Sequence, residues 1–154
     1  KAMEARVSTI DSPAANASVL AMLMATHAEL ESSEVRMLDD VDAFREIGIS
    51  RSEFFRVVDY YRLGPCHALP SRMWLTVEDG NVISSVLDKV HDPDSRLRLC
   101  RLAQLVILAD GHITELERQI YDRMLLRWGY TRSTVVEAIL ARQSDRNGRR
   151  NAAH

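Results

Sequence analysis

The stretch LVILADGHITELERQIYDRMLLRWG, residues 105–129, combines an apolar helix end, an Asp-Gly turn and a new amphipathic helix. Thr114 and Glu117 have the spacing of a capping box, in which each side chain bonds a backbone N–H of the first turn. At 100° per residue, Glu117 falls in the middle of the apolar face of this helix. The stretch therefore predicts a carboxylate directed at the core. Such a group must be hydrogen-bonded, paired or bound to a metal.

Similar start and stop signals recur along the chain. Cap residues, among them Ser12, Asp92 and Thr114, are followed by apolar runs of helical period. They predict about seven helices, and no stretch alternates with a period of two. The fold class predicted is all-α, a compact bundle in one domain. The domain division expected is an N-terminal extension (1–11), a helical domain (12–143) and a flexible basic tail (144–154). The predicted helices span 13–28, 34–46, 51–62, 82–91, 93–109, 115–128 and 132–142, and 93–109 is expected to be the central one. Residues 66–81 are expected to form a loop with a short helix at 71–77 and an Asp79-Gly80 turn.

Residues 27–58 and 110–139 share an order of elements: helix end, turn, helix, glycine, hydroxyl cap, helix. Glu34 then corresponds to Glu117, and two residues are inserted in the first copy. We expect a pseudo-twofold pair inside one domain. Each glutamate is preceded by an ionisable residue seven positions earlier, namely His27 and Asp110.

Two interpretations of these four residues stay open. In one, His27, Glu34, Asp110 and Glu117 converge and bind a divalent cation such as manganese, zinc or calcium, with His112 as a further ligand. In the other, Glu117 only closes the capping box, Asp110 only bonds turn amides and His27 is a core histidine. An EF-hand is excluded, because Val106 and Leu108 would occupy its first two ligand positions.

Composition excludes several other classes. The net charge of −2 gives no basis for nucleic-acid binding. Four C-terminal arginines (Arg142, Arg146, Arg149 and Arg150) are interpreted as a frayed, solvated end rather than a phosphate-binding arm. No apolar run is long enough for an integral membrane segment, and two isolated cysteines favour a reducing, cytoplasmic location.

Signatures of catalysis are lacking as well. Cys66-His67 is interpreted as incidental rather than as a nucleophile and its base, so a hydrolase is disfavoured. Two interpretations apply to Trp74 and the pair Tyr60-Tyr61: they face a protein partner, or they pack in or near the core, and core packing is the one expected.

The segment ADGHITELE, 109–117, followed by an amphipathic helix, Gly129 and a hydroxyl cap, resembles the TerB-like tellurite-resistance domain, which also occurs in DjlA-type co-chaperones. The matching residues are Ala109, Asp110, Gly111 and Glu117. The first copy departs from the pattern, with Thr26-His27-Ala28 in place of Ala-Asp-Gly.

The resemblance implies a compact all-α, non-enzymatic domain. It also implies a role in a stress-response assembly with protein partners, at most peripheral to a membrane, and metal binding through acidic residues. The alternative is a protein-interaction or scaffolding module with no metal site.

Overall fold

A computed structural model describes residues 2–109 and 111–152 and confirms the all-α class: 73% of the described residues are helical, and none of them forms a strand. They form nine α-helices and one 3₁₀ turn, against about seven helices predicted. The helices are α1 Ala2–Ser8, α2 Pro13–Met24, α3 Ser32–Asp40, α4 Ala43–Ile47, α5 Arg51–Leu63, α6 Val77–Leu87, α7 Pro93–Ile107, α8 Glu115–Trp128 and α9 Arg132–Ala152, and the 3₁₀ turn is Leu69–Ser71.

The central helix is α2, not α7 as the sequence predicted. All residues from Ala14 to Met24 are buried, and the helix packs against α1, α4, α5, α6, α7 and α8. Its polar members are small, and the Ser18 hydroxyl donates to the Ala14 carbonyl oxygen at 2.8 Å. Small side chains let neighbours approach α2 on every side, whereas α7 keeps Leu97, Arg98 and Leu105 only partly buried.

Several helix ends follow the predicted caps. Ser12, Asp92 and Thr114 each accept a hydrogen bond from the backbone N–H three residues later, at 3.0 to 3.2 Å. Gly48 and Gly129 both end helices with positive φ, 84° and 77°. This left-handed conformation is the one that favours glycine. Both copies of the repeat thus place a left-handed glycine at the end of the helix that precedes the second hydroxyl cap.

The predicted helix 34–46 is instead two helices. Asp42 has φ 57°, a left-handed conformation that interrupts the chain between α3 and α4. Aspartate tolerates this region better than most residues. The break falls within the segment that carries the two inserted residues, so it accommodates the insertion without displacing Gly48.

The segment before α6 also differs from the prediction. Asp79 and Gly80 do not form a turn, because Thr76 and Asp79 make a complete capping box and α6 begins at Val77.

At the C-terminus, α9 continues through Ala152 rather than ending near Arg142. At the N-terminus, α1 packs on α2 and α5. Within the described chain, no helix has both the length and the apolarity needed to cross a bilayer.

Candidate metal centre

The repeat brings His27, Glu34 and Glu117 together. His27 lies in the turn after α2, where its N–H donates to the Met24 carbonyl oxygen at 3.5 Å, and its side chain is 14% exposed. Glu34 and Glu117 are each the third residue of a helix, α3 and α8, and each is 1% exposed. Because the two glutamates occupy the same helical position, both approach the His27 ring.

The distances within this cluster suit one shared ion. His27 Nε2 lies 3.2 Å from Glu34 Oε1 and 3.5 Å from Glu117 Oε1. One ligand atom from each residue lies within 4.8 Å of the other two. Ligand bonds of about 2.0 to 2.2 Å place neighbouring ligands of one ion roughly 3 to 3.5 Å apart. Small side-chain adjustments would therefore let the three residues share an ion.

The two carboxylate oxygens of Glu117 have different surroundings. Its Oε1 accepts the Thr114 N–H at 3.1 Å, and the Thr114 hydroxyl oxygen accepts the Glu117 N–H at 3.2 Å. Its Oε2 is buried and receives no hydrogen bond from the described residues. The capping box is therefore present, but it satisfies only one of the two carboxylate oxygens, and the other oxygen remains for a further partner.

The charge of the cluster favours a cation. Two carboxylates and one imidazole share a site from which water is largely excluded. A carboxylate in such a site must be paired, hydrogen-bonded or bound to a metal. A divalent ion would neutralise both carboxylates and leave His27 neutral, the protonation state in which histidine binds metals.

Glu31 lies near the other ring nitrogen of His27, which the sequence analysis missed. Its Oε1 lies 3.8 Å from His27 Nδ1, and its side chain is 46% exposed. At this distance Glu31 forms an ion-pair contact with the ring and no hydrogen bond. Its spacing of four residues from His27 was a signal, although the segment between them forms a turn rather than a regular helix.

The outcomes differ for the other two predicted ligands, Asp110 and His112. Asp110 lies outside the described residues, so its role as a ligand stays a prediction. His112 is exposed, after Gly111 with φ 86°, and the cluster found within the described chain does not include it.

Two other sequence expectations can be compared with the structure. Cys66 is buried, and burial raises the pKa of its thiol to about 12, so the thiol stays protonated at neutral pH. Tyr61 is buried as expected, but the expectation of core packing for Trp74 was wrong, because 67% of that residue is exposed.

Comparisons with known proteins give no match to a family model, a curated protein or a solved structure. The resemblance to the TerB-like family therefore rests on the ADGHITELE motif, and it stays a prediction.

Proposed function

We propose that this chain is a non-enzymatic, TerB-like helical domain that binds one divalent cation through His27, Glu34 and Glu117. The observation that carries the proposal is the convergence of one ligand atom from each of the three residues to within 4.8 Å of one another. In addition, the buried Glu117 Oε2 receives no hydrogen bond from the described residues. The all-α architecture agrees with what the motif resemblance implies, and a stress-response assembly is the setting that the resemblance suggests.

The ligand set favours manganese or zinc over calcium. Calcium prefers six to eight oxygen ligands, whereas imidazole nitrogen with two carboxylates suits first-row transition ions and zinc. Asp110, which follows α7 in the sequence and precedes Glu117, is proposed as a fourth ligand from the motif alone.

Calorimetric titration of chelator-treated protein with Mn²⁺, Zn²⁺ and Ca²⁺ tests this function. We expect one equivalent of Mn²⁺ or Zn²⁺ to bind, and Glu117→Gln to weaken binding by about 100-fold or more, since even outer-shell changes cost 10- to 100-fold. Glu115→Gln is the matched control. Glu115 lies two positions earlier in the same helix, is exposed and pairs with Arg118. Its substitution removes the same charge as Glu117→Gln.

Absence of heat with all three ions would contradict the metal function. The same conclusion would follow if Glu117→Gln and Glu115→Gln bound the ion equally well, because binding would then not depend on the buried cluster.

A second candidate function, a protein-interaction module without a metal site, is favoured by one observation. Met73, Trp74 and Val77 are all strongly exposed within a short segment at the start of α6. Large apolar side chains grouped on a surface are typical of protein contacts. Under this alternative, Trp74→Ser would abolish the capture of a partner by the purified chain, whereas Glu117→Gln would leave that capture unchanged.

A further inference from the structure

A second cluster of charged groups lies where α4, α7 and α9 meet. Three arginines approach one oxygen of Glu46: Arg101 Nη2 lies 2.5 Å from Glu46 Oε1, Arg142 Nη2 lies 3.0 Å from it and Arg98 Nε lies 4.0 Å from it. Arg142 is one of the C-terminal arginines that the sequence analysis assigned to a frayed end. Instead, α9 continues as a helix beyond Arg142 and packs against α7. Arg142 is therefore held beside α7.

The four side chains differ in exposure. Glu46 and Arg101 are about nine-tenths buried, whereas Arg98 and Arg142 are 35% and 44% exposed. The two exposed arginines face a cleft of about 560 Å³. Clefts of 300 to 1,000 Å³ are the usual size of small-molecule sites. The outer arginines are therefore accessible, while the inner pair anchors them.

Charge within the cluster is unbalanced. Three guanidinium groups share one carboxylate, which leaves an excess of two positive charges. Within the described residues, Arg98 and Arg142 form ion pairs only with Glu46. Asp94 and Asp145 also line the cleft, but neither lies within 4.0 Å of a guanidinium nitrogen in the part of the chain described. Each outer arginine thus keeps most of its five N–H donors for another anion.

The wall of the cleft adds an apolar part. Leu97 of α7 and Ala138 and Ala141 of α9 line it beside the arginines. A ligand that fits must therefore join an anionic group to a less polar body. The planar guanidinium fork matches phosphate and carboxylate oxygens, and two forks on opposite walls suit the larger charge of a phosphate monoester.

We propose that the cleft between α7 and α9 binds a small organic phosphate monoester, with its phosphate between Arg98 and Arg142 and its organic body against Leu97, Ala138 and Ala141. This site is separate from the His27 cluster and does not depend on a metal ion.

Calorimetric titration with phenyl phosphate, inorganic phosphate and phenol tests the proposal, at low salt and in the presence of chelator. We expect phenyl phosphate to bind with one-to-one stoichiometry, inorganic phosphate to bind more weakly and phenol not to bind. Arg98→Gln and Arg142→Gln should each weaken phenyl phosphate binding about tenfold, because each removes charged hydrogen bonds to the phosphate. Arg149→Gln is the matched control, an exposed arginine farther along α9 that does not line the cleft.

Four results would overturn the proposal. They are no binding of phenyl phosphate, equal weakening by Arg149→Gln, phenol binding as tight as that of phenyl phosphate, and equal affinity for inorganic phosphate and phenyl phosphate. Glu117→Gln should bind phenyl phosphate like the unaltered chain, so the result is independent of the metal proposal. Arg98 and Arg142 both lie partly exposed, and thermal unfolding of each variant verifies that the fold is retained.

Discussion

Helices α6 and α8 both begin with a capping box, but the acidic residues of the two boxes have different surroundings. In both, a threonine and an acidic residue three positions later form a complete capping box, Thr76 with Asp79 and Thr114 with Glu117. Asp79 Oδ2 lies 3.4 Å from Arg72 Nε, so an arginine compensates this carboxylate. Glu117 has His27 and a second carboxylate beside it, and its Oε2 has no hydrogen-bond donor among the described residues.

The difference teaches that a capping box does not by itself distinguish a structural carboxylate from a ligand. The two kinds of carboxylate differ in the charged group that lies next to them. An arginine neutralises the charge of Asp79, whereas a second acidic residue next to Glu117 increases the local negative charge. The comparison yields four predictions, from the largest expected effect to the smallest.

A bound ion should stabilise the protein through Glu117 and not through Asp79. With free Mn²⁺ or Zn²⁺ at 100 times its dissociation constant, we expect the free energy of unfolding to rise by about 2.7 kcal/mol. For a chain of this length, this corresponds to a rise of about 5–10 °C in Tm. Differential scanning calorimetry should show the full shift in Asp79→Asn and, for a 100-fold loss of affinity, only about 0.4 kcal/mol of stabilisation in Glu117→Gln. A full shift in Glu117→Gln would remove the distinction between the two caps.

Removal of each threonine should separate capping from ligand positioning. Thr76→Ala and Thr114→Ala should each lower the free energy of unfolding by about 1 kcal/mol, measured by urea denaturation, because each loses an N-cap bond. Only Thr114→Ala should also weaken metal binding, by about tenfold, since the Thr114 hydroxyl accepts the Glu117 N–H and so holds the first turn of α8 in the position from which Glu117 reaches the cluster. Equal metal affinity in the two variants would show that the cap does not position the ligand.

In metal-free protein, the two acidic residues should respond in opposite directions. Glu117→Gln keeps an oxygen for the Thr114 N–H and removes a charge from a cluster of two buried carboxylates, so the free energy of unfolding should rise by about 1 kcal/mol. Asp79→Asn loses its attraction to the partly exposed Arg72, so the free energy of unfolding should fall by about 0.5–1 kcal/mol. Urea denaturation in chelator measures both, and a decrease for Glu117→Gln would show that the ionised carboxylate is stabilised without a metal.

The smallest effect concerns the ion pair that joins the two helices. Arg127 of α8 donates to both oxygens of Asp88, the residue after α6, at 2.6 and 2.8 Å. This bond, with a smaller coulombic contribution from the same arginine, lowers the pKa of Asp88 below its ordinary 3.8. The stabilisation is thus present above about pH 4 and lost as pH falls through the lowered pKa. Arg127→Gln should cost less than about 1 kcal/mol at pH 7, because the pair is exposed. The cost should disappear near pH 2 in urea denaturation. A cost that stays constant with pH would assign it to packing rather than to charge.

Signals that act within a few residues predicted the structure well. The caps at Ser12, Asp92 and Thr114 were identified because a cap bond forms between neighbours in sequence. The orientation of Glu117 followed from helical geometry, and the approach of His27 and Glu34 was expected from the repeat. The structure brings these three residues together, and their role as metal ligands stays a prediction.

Features that depend on packing between distant segments were not predicted. The burial of α2 on all sides depends on six surrounding elements, whereas its own sequence shows only a row of apolar residues and several small ones. Arg142 and Glu46 are far apart in the chain, so no local pattern marked the α4–α7–α9 cleft. In the Thr76-Asp79-Gly80 segment, the Asp-Gly pair indicated a turn, and the capping box that begins α6 was overlooked.

The position of Glu34 and Glu117 on opposite halves of the repeat has a kinetic consequence. More than half of the chain separates them, so the site exists only after both halves have docked, and closing so long a loop is entropically costly. We expect these contacts to form late in folding, and an ion bound there would stabilise them. Such contacts slow unfolding and have little effect on the folding rate. The ion would therefore prolong the lifetime of the folded chain without helping the chain to reach that state.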